Sequence, residues 1–258
     1  INEGSTIYGS VQYAVQLAQD GDVVDVAGLC RGVNNLGGTT QNLYISKTLT
    51  LRGGWQPDFS VRDTFTILYP EGLGRGVYLT GGAGVNQTVD RFRIANSRDG
   101  AIYNENTNAL VQNNLLYGNA TSGNGAAIYN QGGNLRVWHN TALSNTATGN
   151  GAGVYVAAGS PVIHNNIFAN NTAAGGAAIY GAGGTADADY NNTWNNTGGN
   201  YGGNVITGTN DVDGDPFFAS EAPADENFAK LFSISPVINA GDGASPVTDD
   251  YENQPRPS

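Results

Sequence analysis

Through most of the chain, apolar and polar positions alternate in short runs rather than at helical spacing. Triplets such as AIY, LRV and TAL recur between clusters of Gly and Asn, a pattern that predicts short strands joined by tight turns. Between residues 99 and 197 four segments overlay, starting at Gly100, Gly125, Gly151 and Gly176. In that alignment Ile102, Ile128, Val154 and Ile179 recur at 26, 26 and 25 residues, and Val111, Val137 and Ile163 keep 26. Asn114, Asn140, Asn166 and Asn192 recur at 26 each time. Three short strands and three turns in about 25 residues make one coil of a parallel β-helix, with equivalent positions stacked roughly 4.8 Å apart.

Stacking gives the columns a physical meaning. An inward Asn column predicts a ladder in which each amide donates to one neighbour and accepts from the other, satisfying polar groups at a buried turn. Alternation from that column places Leu116, Ala142, Phe168 and Trp194 inward, and Tyr117, Leu143 and Ala169 outward. Glycines at the coil boundaries supply the positive φ of tight corners. Residues 8–19 carry Val11, Ala14, Val15 and Leu17 at helical spacing, predicting a short amphipathic helix that covers the open end of the coil stack. Seven or eight coils are read, a rod of roughly 35 to 40 Å. The boundaries are 1–21 for the N-terminal cap, 22–205 for the β-helix and 206–258 for a C-terminal cap or tail.

Composition agrees. The chain has 258 residues, with 38 Gly, 32 Asn and only 13% charged residues, so amides and hydroxyls wet its surface. The formal charge of −11 disfavours nucleic acid and anionic membranes as partners. No run approaches the length of a membrane span. A single cysteine, Cys30, excludes an intrachain disulfide framework and reads as a small buried hydrophobe, a reactive thiol being the sharper alternative. Ile1 follows no signal peptide and reads as the start of a mature or trimmed chain. The Asn-rich, Lys-poor composition leans towards a secreted, extracellular or cell-surface protein.

Candidate chemistry is sparse. After Arg136 the basic residues are Lys230 and Arg256, so the regular coils lack the Lys or Arg that a polysaccharide lyase needs. Arg91, Arg93 and Arg98 with Asp90 and Asp99 form one mixed cluster, read as a solvated, salt-paired strand edge rather than a catalytic cleft. Asp187 and Asp189 fall in the columns of Pro161 and Ile163, so one of them replaces an inward residue where the core ends. A glycosidase carboxylate pair is the alternative. Asp211, Asp213 and Asp215 alternate in a Gly-containing turn like the first half of a calcium loop, the one cofactor the sequence suggests, although the later bidentate Glu is missing. His139 and His164 lie on neighbouring coils, one column apart, and read as turn residues rather than metal ligands. Tyr78, Tyr103, Tyr129, Tyr155 and Tyr180 step by 25, 26, 26 and 25 and point outward, a stripe that stabilises the sheet itself, docks another copy of the chain, or binds surface glycans. Asn86, Asn119, Asn170, Asn191 and Asn195 head glycosylation sequons.

The run YGSVQYAVQLAQDGDVVDVAG, followed by LYISKTLTLRGGW, the NNIFANN coil, DGDPFF and FSISPVINAGD, resembles secreted bacterial right-handed parallel β-helix repeat proteins of the choice-of-anchor type. GGAAIY at 175–180 and FANN at 168–171 are similar to the GGAI and FxxN repeats of polymorphic outer-membrane proteins. The resemblance implies an all-β, right-handed parallel β-helix, and surface proteins that continue into a sorting or anchoring segment, a pattern not read up to Ser258. The expected function is a non-enzymatic extracellular rod for adhesion or for self-assembly into a filament or sheath. The alternative is a carbohydrate-active enzyme or a glycan-binding module.

Overall fold

The computed structural model describes residues 7–252, 254 and 255. Apart from one short helix near the N-terminus the fold is all β, a parallel β-solenoid of about 7 turns. Each coil visits three faces. The first face stacks Thr39–Ile45, Arg75–Leu79, Ile102–Asn104, Ile128–Asn130 and Val154–Val156. The second stacks Val23–Ala27, Thr50–Trp55, Thr88–Asp90, Leu110–Gln112, Arg136–Trp138 and Val162–His164. Two longer strands, Ile179–Asp189 and Tyr201–Thr207, bend from the first face onto the second and join the two into one 14-stranded sheet. The third face is a separate 8-stranded sheet running from Leu29–Arg31 to Val212–Asp213.

Register follows the repeat. Ile102 pairs with Ile128 and Ile128 with Val154, so Val77, Ile102, Ile128, Val154 and Ile179 form one inward column, each at most 1% exposed. Val89, Val111, Val137 and Ile163 form a second, and Ile94, Leu116, Ala142 and Phe168 a third. A tube this narrow matches large side chains to small ones: a Cβ on Gly153 would fall 2.6 Å from the Phe168 ring, so only Gly fits beside it.

The corners are stereotyped. Asn113, His139, Asn165 and Tyr190 hold φ between 55° and 61° where the second face meets the third. Asn96, Gly118, Ser144, Asn170 and Asn195 do the same on leaving the third face, at 51° to 60°. Asn and Gly are the residues that enter this left-handed region at least cost.

Helix Val11–Leu17 closes the N-terminal end as its apolar spacing predicts. Ser10 caps it and Ala14 and Val15 are buried. Lys47 Nζ donates to the carbonyls of Gln16 and Ala18, at 2.7 and 2.5 Å, placing a cation on the negative end of the helix.

The last repeat is one residue short, and this overturns two inward assignments. Ile163 pairs with Ala188, which is the buried residue, so Asp187 and Asp189 flank the column and neither enters the core. Phe168 pairs with Thr193, leaving Trp194 38% exposed. Leu143 and Ala169 do point away from the tube, yet both are buried. Their cover is the segment after Asp213, which folds back along the third face. Glu221 accepts from Asn170, the Phe228 ring meets Tyr117 edge-on, and Tyr251 stacks on Phe65 in an early coil.

Candidate functional site

Each Asn that follows a left-handed corner residue turns its amide inward. Asn114 Nδ2 donates to Asn140 Oδ1 at 3.0 Å, Asn140 to Asn166 at 3.1 Å, and Asn166 to Asn191 at 3.0 Å. The same oxygens accept the backbone N–H of the preceding coil, and Phe92 N–H donates to Asn114 to begin the series. Asn192 is therefore not the fourth rung. Its Nδ2 donates to the carbonyls of Val212 and Gly214. A second ladder, not anticipated from the sequence, joins Asn119, Asn145, Asn171 and Asn196 at 3.0 to 3.1 Å. Asn119 and Asn191 are thus at most 1% exposed with their amides engaged, which removes both as glycosylation acceptors in the folded chain. Asn86 and Asn195 are exposed, and Asn170 is half-buried with its amide bonded to Glu221.

Asp211 stands where the first ladder would continue: its Oδ1 accepts from Asn191 N–H at 2.7 Å and its Oδ2 from the Tyr201 hydroxyl at 2.7 Å. Burial lifts its carboxyl above the usual range despite these bonds, and burial together with Asp211 raises the Tyr201 phenol. Asp215 Oδ1 is turned to its own backbone, accepting from Phe217 N–H. Asp211, Asp213 and Asp215 do not assemble as a calcium site, and among the described residues no group of three or more His, Cys, Asp and Glu is placed to hold a metal ion. Asp211 and Asp215 serve separate partners along this turn, and Asp213 is exposed.

The tyrosine column is continuous and begins one coil earlier than the repeat indicates. Tyr44, Tyr78, Tyr103, Tyr129, Tyr155 and Tyr180 stack with ring centroids 5.6, 5.0, 4.9, 5.1 and 5.9 Å apart. Pairing of Tyr44 with Tyr78 and of each later tyrosine with the next fixes the column on the first face, outside the tube. Arg75 lies over Tyr78 and Tyr103, and the Tyr103 hydroxyl donates to Gln131. Burial by the neighbouring rings raises the Tyr78 phenol to about 12 and lifts Tyr103 and Tyr129 in the same direction.

The arginine cluster is not a solvated edge. Arg91 is 1% exposed and pairs with Asp249, and Arg62 pairs with Asp90 at 2.6 Å. Arg93 is 6% exposed and its Nε donates to the Tyr251 hydroxyl at 2.7 Å. Arg98 remains exposed and Asp99 half-buried. The folded-back segment, with its partners 158 residues away in sequence, buries the two arginines, and no local pattern announces contacts so distant.

His139 occupies a left-handed corner with its Nε2 2.7 Å from Ser245 Oγ, while His164 pairs across strands with Trp138 and approaches Asp187 at 3.8 Å. The two imidazoles therefore serve different partners. Asp189 is partly desolvated, which pushes its carboxyl up, but hydrogen bonds from Asn210 and Tyr190 outweigh this and hold it below the usual value. Asp187 and Asp189 face different partners, Asp187 the His164 ring and Asp189 the Asn210 amide. Burial raises the Cys30 thiol to about 11, which favours the thiol over the reactive thiolate at neutral pH. Arg256 lies outside the described residues.

Among the described residues no helix is long and apolar enough to cross a membrane. No protein-family model matches the chain, and no curated protein matches it.

Proposed function

We propose that this chain is a non-enzymatic extracellular rod of the secreted β-helix repeat kind, with choice-of-anchor and GGAI/FxxN-like coils, and that its tyrosine face is the surface it presents for adhesion or self-association. The observation that carries the reading is the six-ring stack on the first face. A phenol column running over six coils, its rings near-parallel except for a 32° tilt between Tyr129 and Tyr155, offers rigid area at little entropic cost, with hydroxyl tips for hydrogen bonding. The apolar outer side of the third face, by contrast, is covered by the chain's own segment. The amide-rich, Lys-poor surface suits an extracellular setting.

The test combines electron microscopy with sedimentation of the full chain, alongside Tyr103→Ser and Tyr129→Ser together. Filaments, sheets or laterally paired rods that are lost in the double variant support the proposal. Monomers at every concentration that also show no tyrosine-dependent retention on cell-surface material would overturn it, as would calcium-dependent depolymerisation of an acidic polysaccharide.

A further inference from the structure

The two ends of the rod are finished differently. At the N-terminal end helix Val11–Leu17 lies over the core, and strand Asn34–Leu36 turns back antiparallel on Thr39–Ile45. The outer strands there, Val23–Ala27 and Leu29–Arg31, carry Asp25 and Arg31, each held in an ion pair. Covering elements and charged side chains keep an open sheet edge from pairing with another chain. At the opposite end the large sheet finishes on Tyr201–Thr207, YGGNVIT, which has neither a charge nor a proline. It pairs with Ile179–Asp189 and, among the described residues, with no other strand.

The pairing sets which groups lie on the free edge. Ile179 N–H donates to the Asn200 carbonyl, and the Ala188 carbonyl accepts from Gly208 N–H, so Gly202, Asn204 and Ile206 turn their main-chain groups towards Ile179–Asp189. Alternation turns those of Tyr201, Gly203, Val205 and Thr207 the other way, along the axis of the rod. The strand bends from the first face onto the second at Gly203, whose φ is 66°, beside its midpoint Asn204. Ile206 is 62% exposed on this rim. Gly202 has no side chain, and the Tyr180 ring leans over it, since a Cβ at 202 would lie 2.7 Å from Tyr180 Cδ2. The tyrosine column of the first face therefore stops beneath a position that no side chain of its own coil fills.

We infer that two copies of the chain join tail to tail through this strand, which pairs antiparallel with its own copy about a twofold axis at Asn204. Because the axis passes beside the bend, the first face of one copy meets the second face of the other. Gly203 then lies opposite Val205 of the second copy and Tyr201 opposite Thr207, and the outward main-chain groups exchange about eight hydrogen bonds. Ile206 of each copy comes opposite Gly202 of the other and fills the position above the Tyr180 ring, so an exposed apolar side chain is covered at a place already shaped for it. The contact is isologous and closes at two copies. Stacking of a tail on a head is blocked by the helix and the reversed strand at the N-terminal end. No ring of the tyrosine column beyond Tyr180 is needed, so the contact stands or falls separately from the role proposed for that face.

Asn204 is exposed and in this register faces its own copy, which makes it the residue to test. Sedimentation equilibrium of the full chain should show dimers, and these should persist in the Tyr103→Ser, Tyr129→Ser double variant even where lateral association is lost. Asn204→Asp and Asn204→Lys each set like charges opposite one another and should weaken the dimer at least about tenfold, with circular dichroism showing that the coils are kept. An equimolar mixture of the two variants should restore the dimer. Ile206→Ser should weaken it too. A wild-type chain that stays monomeric at about 100 μM, dimers indifferent to charge at position 204, a mixture that stays monomeric, loss of the dimer in the tyrosine double variant, or growth of that variant beyond two copies would overturn the inference.

Discussion

The first and third faces are built on the same coil spacing, yet one is left bare and the other is roofed. On the first face the outward column repeats a single residue, and each tyrosine ring between the two ends of the column packs on the ring above and the ring below it. On the third the outward positions are Arg93, Leu115, Thr141, Ile167 and Asn192 in one column and Ala95, Tyr117, Leu143, Ala169 and Trp194 in the other. Unlike neighbours cannot form a ladder, and the apolar ones among them would face water. The chain covers them with a second layer, at the cost of burying Arg91 and Arg93. Repetition makes a surface self-sufficient, and departure from repetition requires a partner.

The largest effect is expected from removing a rung of the coil stack on which both faces are built. Asn140→Ala deletes donors to Val111, Trp138 and Asn166 and the acceptor for two bonds from Asn114; a loss of about 3 to 5 kcal/mol is expected from urea unfolding. Asp249→Ala should separate the faces. It leaves Arg91 buried without its carboxylate, costs the docked layer about 3 kcal/mol, and makes residues 214–252 susceptible to limited proteolysis while the coils keep their circular dichroism. Tyr129→Ala acts on the bare face alone, removing two ring contacts for about 2 kcal/mol with the segment after Asp213 still protected.

The smallest effect concerns the end of the first ladder. Since burial sets Asp211 above its unfolded pKa, the folded chain binds the proton more readily, and the last coil gains stability as pH falls through the folded value and loses it as pH rises. Asp189 has the opposite sign: held below its unfolded value, it contributes above that value and its contribution disappears on acidification. Amide-exchange protection at Asn191 should therefore rise as pH falls through the raised folded value of Asp211, and this rise should vanish in Asp211→Asn.

How much of this was legible in the sequence depended on whether a contact joins equivalent positions. Ile102 with Ile128, or Tyr103 with Tyr129, could be read because a contact between copies is a spacing. The fourth rung was displaced from Asn192 to Asn191 because both residues are Asn and the last repeat is one residue shorter. The ladder through Asn119, Asn145, Asn171 and Asn196 carries the same spacing signal, but three of its neighbourhoods also spell sequons, and an Asn-rich composition accounts for scattered Asn without a ladder. Tyr44 was missed because an insertion around residues 56–65 breaks the period. The Arg91–Asp249 pair and the burial of Arg93 had no signal at all, since each contact occurs once and joins distant parts of the chain.

The ladder through Asn114 runs in one direction. Asn114, Asn140 and Asn166 each give a side-chain N–H to the following coil and another back to a carbonyl of the preceding one, so the position that ends the series needs only to accept. A carboxylate meets that requirement and Asp211 supplies it. Residue 211 thus ends the series as an acceptor only: it takes the Asn191 N–H on one oxygen and the Tyr201 hydroxyl on the other and passes nothing on to a further coil.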